Sequence, residues 1–359
     1  MGVGSILVVD NKKLDEFLGK VVGEWGAALD SLLIFVGDRL KLYTAMTGND
    51  GPIKVTPESL AAKTGTHPRM IKEWLFAQAA GGYVEYDAED GTFTLPEEKA
   101  LALTDENSPA YIQGAYQLLV SLFKDEEKII QAMRSGKGLG WGDHHPYLFE
   151  GTERFLGPVY VGSLTSSWIP SLDGVEDKLK KGAKVADVGC GYGVTTILMG
   201  KAFPNSQVIG FDSHLESIEK AKAHARKEGL TNVTFELGNS TTYKGNDYDL
   251  VTFFDCIHDM GDPSGASKHA LETLKDDGTL MVVEPFANDK PEQNLNPIGR
   301  IMYAASTLVC VPASLKEDGP ALGAQAGQSK LENIIRSVGF SKFRRATETP
   351  FNLVFEARP

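Results

Sequence analysis

Cysteine, histidine and aspartate fall together in the segment FFDCIHDMGD, Phe253 to Asp262, directly after an apolar run. With an unperturbed pKa near ~6.5, His258 is suited to take a proton at neutral pH. Beside Asp259 it could instead enter a metal site, but zinc wants further protein ligands and the motif offers none. A third reading is a histidine that caps a core strand. Cys256, two positions earlier, shares the strand face of His258. A Cys-His hydrolase would need that pair in contact, and a buried small hydrophobe is the better reading. His144 and His145 ahead of Pro146 form another histidine pair, read as pocket-lining or surface residues.

A second cluster is ADVGCGYGVTT. Gly189, Gly191 and Gly193 let the chain turn sharply into a helix and approach a ligand closely. The last glycine of a dinucleotide fingerprint would fall on Val194, which argues against NAD. Asp187 before the turn would oppose a pyrophosphate but suits a ligand bearing an ammonium group. S-adenosylmethionine carries that group and a sulfonium. Nineteen residues beyond Gly193 comes GFD, where Asp212, followed by Ser213, can accept hydrogen bonds from both ribose hydroxyls. ELGNS then puts Asn239 and Ser240 where adenine would lie, the amide offering a donor and an acceptor. Asp255 is close enough along the sheet edge to help hold the cofactor's amino-acid end.

These positions require a scaffold. From Lys178 onward, KVADV, QVIGFD, VTFELG, YDLVTFFD and TLMVVEP alternate with amphipathic stretches such as HLESIEKAKAHARKEG. Short apolar runs between amphipathic helices predict an α/β fold, a parallel sheet covered on both faces, with ligands at the carboxyl ends of the strands. From Leu29 to about Leu95 the pattern is helix, helix, hairpin. Pro57 and Pro68 start the helices, Met70, Ile71, Trp74 and Leu75 share a face, Gly81 and Gly82 stop the second, and Asp90-Gly91 turns the hairpin. The division reads as a winged-helix-like domain over residues 1–110, a helical connector over 111–175 that could cover a pocket, and an α/β domain over 176–359. Trp141, Met302 and Tyr303 are candidates for the acceptor pocket.

The chain has 359 residues, 42% hydrophobic, and a formal net charge of −12, enough for a full core and unfavourable to nucleic acid or anionic lipid. Residues 1–110 hold 10 Lys and Arg against 17 Asp and Glu, a net −7, so the wing cannot follow a phosphate backbone. Three cysteines, Cys190, Cys256 and Cys310, fit a reducing compartment. Gly2 with Ser5 and Ile6 misses a myristoylation signal, and no apolar run spans a bilayer, so a soluble, cytoplasmic protein is expected.

The ordered set ADVGCGYG, GFD, GNS, FFDCIHD and LKDDGTLMVVEP resembles class I S-adenosylmethionine-dependent methyltransferases with a Rossmann-like seven-stranded sheet. With the winged-helix-like front half it is similar to the small-molecule type related to plant O-methyltransferases, in particular a mycobacterial, bacterial and invertebrate branch. The resemblance implies S-adenosyl-L-methionine as cofactor, a small-molecule acceptor, His258 as general base, Glu284 as the acid that orients it, and a homodimer formed through the front domain. Met260 replaces the tryptophan of the plant motif, and Gln325 stands where a further glutamate is expected. A hydroxyl acceptor leads. A thiol or thioether acceptor follows, since sulfur needs little help from a base, and a cofactor-sensing DNA-binding regulator is the alternative of another class.

Overall fold

The computed structural model describes residues 9–49, 51–106 and 108–359; the Gly2 to Ile6 segment lies outside them. It divides into two compact units, the first ending at Val120 and the second starting at Ser121.

The second unit is built on a seven-stranded sheet. In chain order its strands are β1 (Lys184–Val188), β2 (Gln207–Asp212), β3 (Val233–Leu237), β4 (Tyr248–Phe254), β5 (Leu274–Pro285), β6 (Lys342–Glu348) and β7 (Asn352–Arg358). Their spatial order is β6-β7-β5-β4-β1-β2-β3. The first five run parallel, and β7 pairs antiparallel to both β5 and β6. Apolar residues on both faces explain this: Val185, Val208, Leu250 and Met281 pack into one core layer, and Ala186, Val251, Leu280 and Phe355 into the other. Helices Val194–Ala202, Leu215–Lys227 and Pro263–Thr273 cover the faces. The strand order reverses beside β1, so the ends of β1, β2 and β4 converge on one crevice.

The run Pro297–Lys316 forms a 20-residue helical stretch, apolar and long enough by composition to cross a membrane, which the sequence reading did not anticipate. In the structure it packs on the sheet unit, with Ser306, Val309, Cys310, Ala313 and Ser314 buried.

In the front unit, helix Pro57–Thr64 begins at a Thr56 capping box, and helix Pro68–Ala80 follows. Strands Glu85–Asp87 and Thr92–Thr94 make the expected hairpin. Ile71, Trp74 and Leu75 enter the core, but Met70 is 74% exposed, one position off the buried stripe. A 29-residue helix, Asn11–Arg39, precedes all of this.

Candidate active site

The glycine turn leaves β1 at Val188 and enters helix Val194–Ala202. Gly191 and Gly193 both have left-handed backbones, φ 53° and 85°. At Gly193 a side chain would also strike the Phe235 ring at 2.6 Å. Gly191 instead faces open space, and its amide donates to Asp212 Oδ2 at 2.9 Å. Asp212 Oδ1 accepts from the His214 amide at 2.8 Å, so the carboxylate at the end of β2 is held by two backbone donors.

Between the turn and the neighbouring strand ends lies a cavity of about 410 Å³. Gly189, Gly191, Asp212, Ser213, Asn239, Ser240, Asp255 and Trp141 line it, as the sequence positions suggested. Asp187 does not. It is 1% exposed behind the turn, where Thr195 and Thr196 each donate to Oδ2 at 2.6 Å and Thr252 donates to Oδ1 at 3.0 Å. Its reach is spent on fixing the helix start to β1 and β4, so direct contact with a ligand's ammonium group is not available to it.

Asp255 shows why the β4 end departs from simple alternation. Its φ of 49° is left-handed, costly for a non-glycine residue, and it ends the strand's period-two pattern at Phe254. Cys256 consequently lines the cavity, whereas His258 turns behind its wall and is 4% exposed. The two residues do not share a face, and burial pushes the Cys256 thiol well up, which removes the Cys-His hydrolase reading. Asp255 itself accepts from Tyr160 Oη at 2.7 Å and Asn352 Nδ2 at 3.1 Å. Burial, then the Glu284 charge, pushes its pKa up to about 7.

His258 Nδ1 meets Glu284 Oε2 at 2.6 Å, and Glu284 Oε1 accepts from the Ile257 amide at 3.0 Å. The carboxylate at the end of β5 thus fixes both the ring and the backbone that carries it. Burial pulls the His258 pKa down, but the Glu284 charge and the hydrogen bonds that the ring donates to Glu284 and Cys310 outweigh it. The ring is left well above the usual histidine range. Glu284 occupies one ring nitrogen and the Cys310 thiol meets the ring as well.

Other sequence candidates lie elsewhere. His144 is buried with Nδ1 3.1 Å from Asp125 Oδ2, and the same oxygen accepts the His145 amide at 2.7 Å. The pair orders the turn into the next helix and does not line the cavity. Met302 and Tyr303 sit on helix Pro297–Ala305, away from the cavity wall. Trp141 does line it, donating from Nε1 to Asp259 Oδ2 at 2.7 Å, and burial pushes Asp259 up to about 6.

The stretch read as a helical connector that could cover a pocket makes much of the wall, through residues that were not among the site candidates. Phe149, Thr152, Glu153, Leu156, Gly157 and Tyr160 all line the cavity from helix Tyr147–Ser163. Their spacing of three and four is the stripe of a single helical face, a signal present in YLFEGTERFLGPVY. Phe149 stacks on His214, ring centroids 4.7 Å apart, and on Tyr192 at 6.0 Å.

Glu153, Asp212, Asp255, Asp259 and Glu317 give the cavity five carboxylates, and among the described residues no lysine or arginine lines it. That set favours a cation and opposes a pyrophosphate. S-adenosylmethionine fits it: a sulfonium and an ammonium amid carboxylates, with a strand-end acid for the ribose.

Comparison with known proteins agrees. Residues 179–339 match the family described as methyltransferase domain, and residues 27–105 match the Rv2258c-like winged HTH domain. A ubiquinone biosynthesis O-methyltransferase of Actinobacillus pleuropneumoniae is 34% identical over 106 residues, 28% of this chain and 44% of that protein. The chain spans less than half the length of the first curated relatives it matches, 47% and 44%. An O-methyltransferase family protein from Burkholderia thailandensis superposes with a TM-score of 0.72 at 16% identity, over 95% of this chain and 97% of that one. Human N-acetylserotonin methyltransferase, solved in complex with S-adenosylmethionine, superposes with a TM-score of 0.67 at 16% identity, over 100% and 99%. The chain therefore carries a methyltransferase domain over residues 179–339 and an Rv2258c-like winged HTH domain over residues 27–105.

Proposed function

We propose that this protein transfers a methyl group from S-adenosylmethionine to a hydroxyl oxygen of a small molecule, with His258 as general base and Glu284 holding it. When bound, the cofactor supplies an electrophilic methyl on a sulfonium that leaves readily. Asp212 takes the ribose, Asn239 and Ser240 the adenine, and Asp255 the amino-acid end. The observation that carries the reading is the buried His258–Glu284 pair, 2.6 Å apart, at strand ends neighbouring those that build the cavity. An acceptor hydroxyl takes the place of the Cys310 thiol at the ring and gives its proton to the imidazole, while Glu284 stabilises the cation that results.

Replacing His258 by alanine lowers turnover of an oxygen acceptor by ~10²- to 10⁴-fold while calorimetry still finds the cofactor bound. The check is methyl-labelled cofactor with a panel of phenols, hydroxy acids and thiols, the label located by mass spectrometry. A near-normal rate on a phenol sinks the base assignment. A thiol acceptor is the second reading, since sulfur needs little help from a base and Gln325 stands where a further glutamate is expected. On a thiol the same variant loses little.

The protein acts as a homodimer in the cytoplasm in this reading. Support comes from three free thiols and from the unpartnered apolar side of helix Asn11–Arg39, where Phe17, Val22, Trp25 and Leu29 are each more than half exposed.

A further inference from the structure

Residues 137–143 form a short strap across the cavity. Gly140, Trp141 and Gly142 line it, while Gly142 and Asp143 are exposed, so the strap stands between cavity and solvent. It crosses from the loop after β4 to the loop after β2. On one side the Trp141 indole donates to Asp259 Oδ2 at 2.7 Å; on the other, a Cβ placed on Gly142 would touch the His214 ring at 3.7 Å. Phe149 joins the two sides, its ring centroid 5.7 Å from that of Trp141 and 4.7 Å from that of His214. Asp212 and Asp255 line the same cavity from the strand ends.

Both ends of the strap are anchored. The Leu139 amide donates to the Pro312 carbonyl at 2.9 Å, and a side chain at Gly138 would lie 2.2 Å from backbone atoms of Pro312 and Lys316. At the other end Lys128 Nζ donates to the Asp143 carbonyl at 2.6 Å, Lys316 Nζ lies 3.6 Å from its carboxylate, and the buried His144–Asp125 pair follows. Between the anchors the strap bonds to itself, the Gly140 amide to Asp143 Oδ2 and the His144 amide to the Trp141 carbonyl, each at 3.1 Å. Among the described residues, the hydrogen bond that ties this middle stretch to the far wall is Trp141 to Asp259, an N–H on a carboxylate and so charge-assisted.

We infer that Trp141 is the latch of a cofactor gate: the strap moves between its anchors to admit S-adenosylmethionine and release S-adenosylhomocysteine, and the bond to Asp259 holds it shut. This rests on reading the cavity as the cofactor site and is independent of which atom is methylated. A latch differs from a wall contact in its kinetics. Losing a wall contact speeds dissociation and weakens affinity by the same factor. Losing a latch clears the path in both directions, so association and dissociation quicken together and affinity changes little.

The test measures both rates for S-adenosylhomocysteine by surface plasmon resonance on the full chain. Trp141→Phe, which keeps a ring and loses the donor, raises each rate by ~10-fold or more, the loss expected for one hydrogen bond to a charged group, and shifts Kd by less than ~3-fold. Asp259→Leu does the same from the other partner, with Asp259→Ala in its place if thermal unfolding shows the leucine variant not to fold. The double variant is no faster than either single one, as one shared bond requires. An unchanged association rate in Trp141→Phe, a Kd that rises as much as the dissociation rate, or effects that add in the double variant overturns the inference. Wild-type protein that binds no S-adenosylhomocysteine overturns the cofactor reading and the latch with it.

Discussion

At the residue scale the decisive pair is His258 and Glu284, and its chemistry sets a pH dependence. A general base works only when deprotonated, so kcat/KM on an oxygen acceptor falls as pH drops below the His258 pKa. Glu284 and Cys310 hold that pKa well above the usual range against the pull of burial. The acid-side limb of the profile therefore lies above the ~6.5 of an ordinary histidine. Glu284→Gln removes the stabilising charge, and the limb moves to lower pH as the rate falls. A limb that stays in place in this variant would show that Glu284 does not set the base. The sequence made the residue types and their strand ends readable, Asp212 and Asn239 among them. It did not reveal that Asp255 adopts a left-handed backbone, nor that its carboxylate is held by Tyr160 and Asn352, 95 and 97 positions away. Asp187 was placed before the turn correctly, but only the three threonine hydroxyls reveal that its oxygens are already occupied.

At the element scale, the sheet was legible because continuous apolar runs between amphipathic helices admit few other arrangements. The helix before it was legible only as part of a helical connector, without its bounds or its inward face. Residues 147–163 contain Gly151, Gly157, Pro158 and Gly162, which weaken a helical pattern when read for propensity alone. Read by period, the same stretch presents Phe149, Glu153, Leu156 and Tyr160 on one side, and that side walls the cavity. Phe149 is the residue to test, since it stacks between His214 and Tyr192 beside Asp212. Aromatic stacking of this kind contributes ~0.5–1.5 kcal/mol beyond burial, so Phe149→Ala weakens S-adenosylhomocysteine binding by ~3- to 10-fold in calorimetry. Phe123→Ala, at a side chain 62% exposed, leaves it unchanged. Equal affinity in both variants would remove the helix from the cofactor wall.

At the scale of the whole molecule, charge and surface argue for self-association over nucleic-acid binding. In the front unit the wing tip is acidic, and Lys54 is engaged there by Asp87 and Asp90, both at 2.8 Å. A lysine neutralised by two carboxylates has little left for a phosphate. The helix Asn11–Arg39 tells more, and the sequence reading, which began at Leu29, overlooked it. Leu14, Leu18, Val21, Trp25, Ala28 and Leu32 follow one another at steps of four and three, the seam of a coiled coil, and all six are exposed. From Leu14 to Leu32, 19 residues at ~1.5 Å each, the helix offers an apolar line about 28 Å long that is exposed among the described residues. A second copy can cover that line by pairing like with like, as a two-fold interface requires. Wild-type protein accordingly sediments at twice 38.9 kDa. Leu18→Glu with Trp25→Glu places charges in the seam and yields monomers, whereas Lys12→Glu, outside it, does not. A wild-type protein that sediments as a monomer at micromolar concentration would refute the dimer, and a double variant that remains dimeric would move the interface away from this helix.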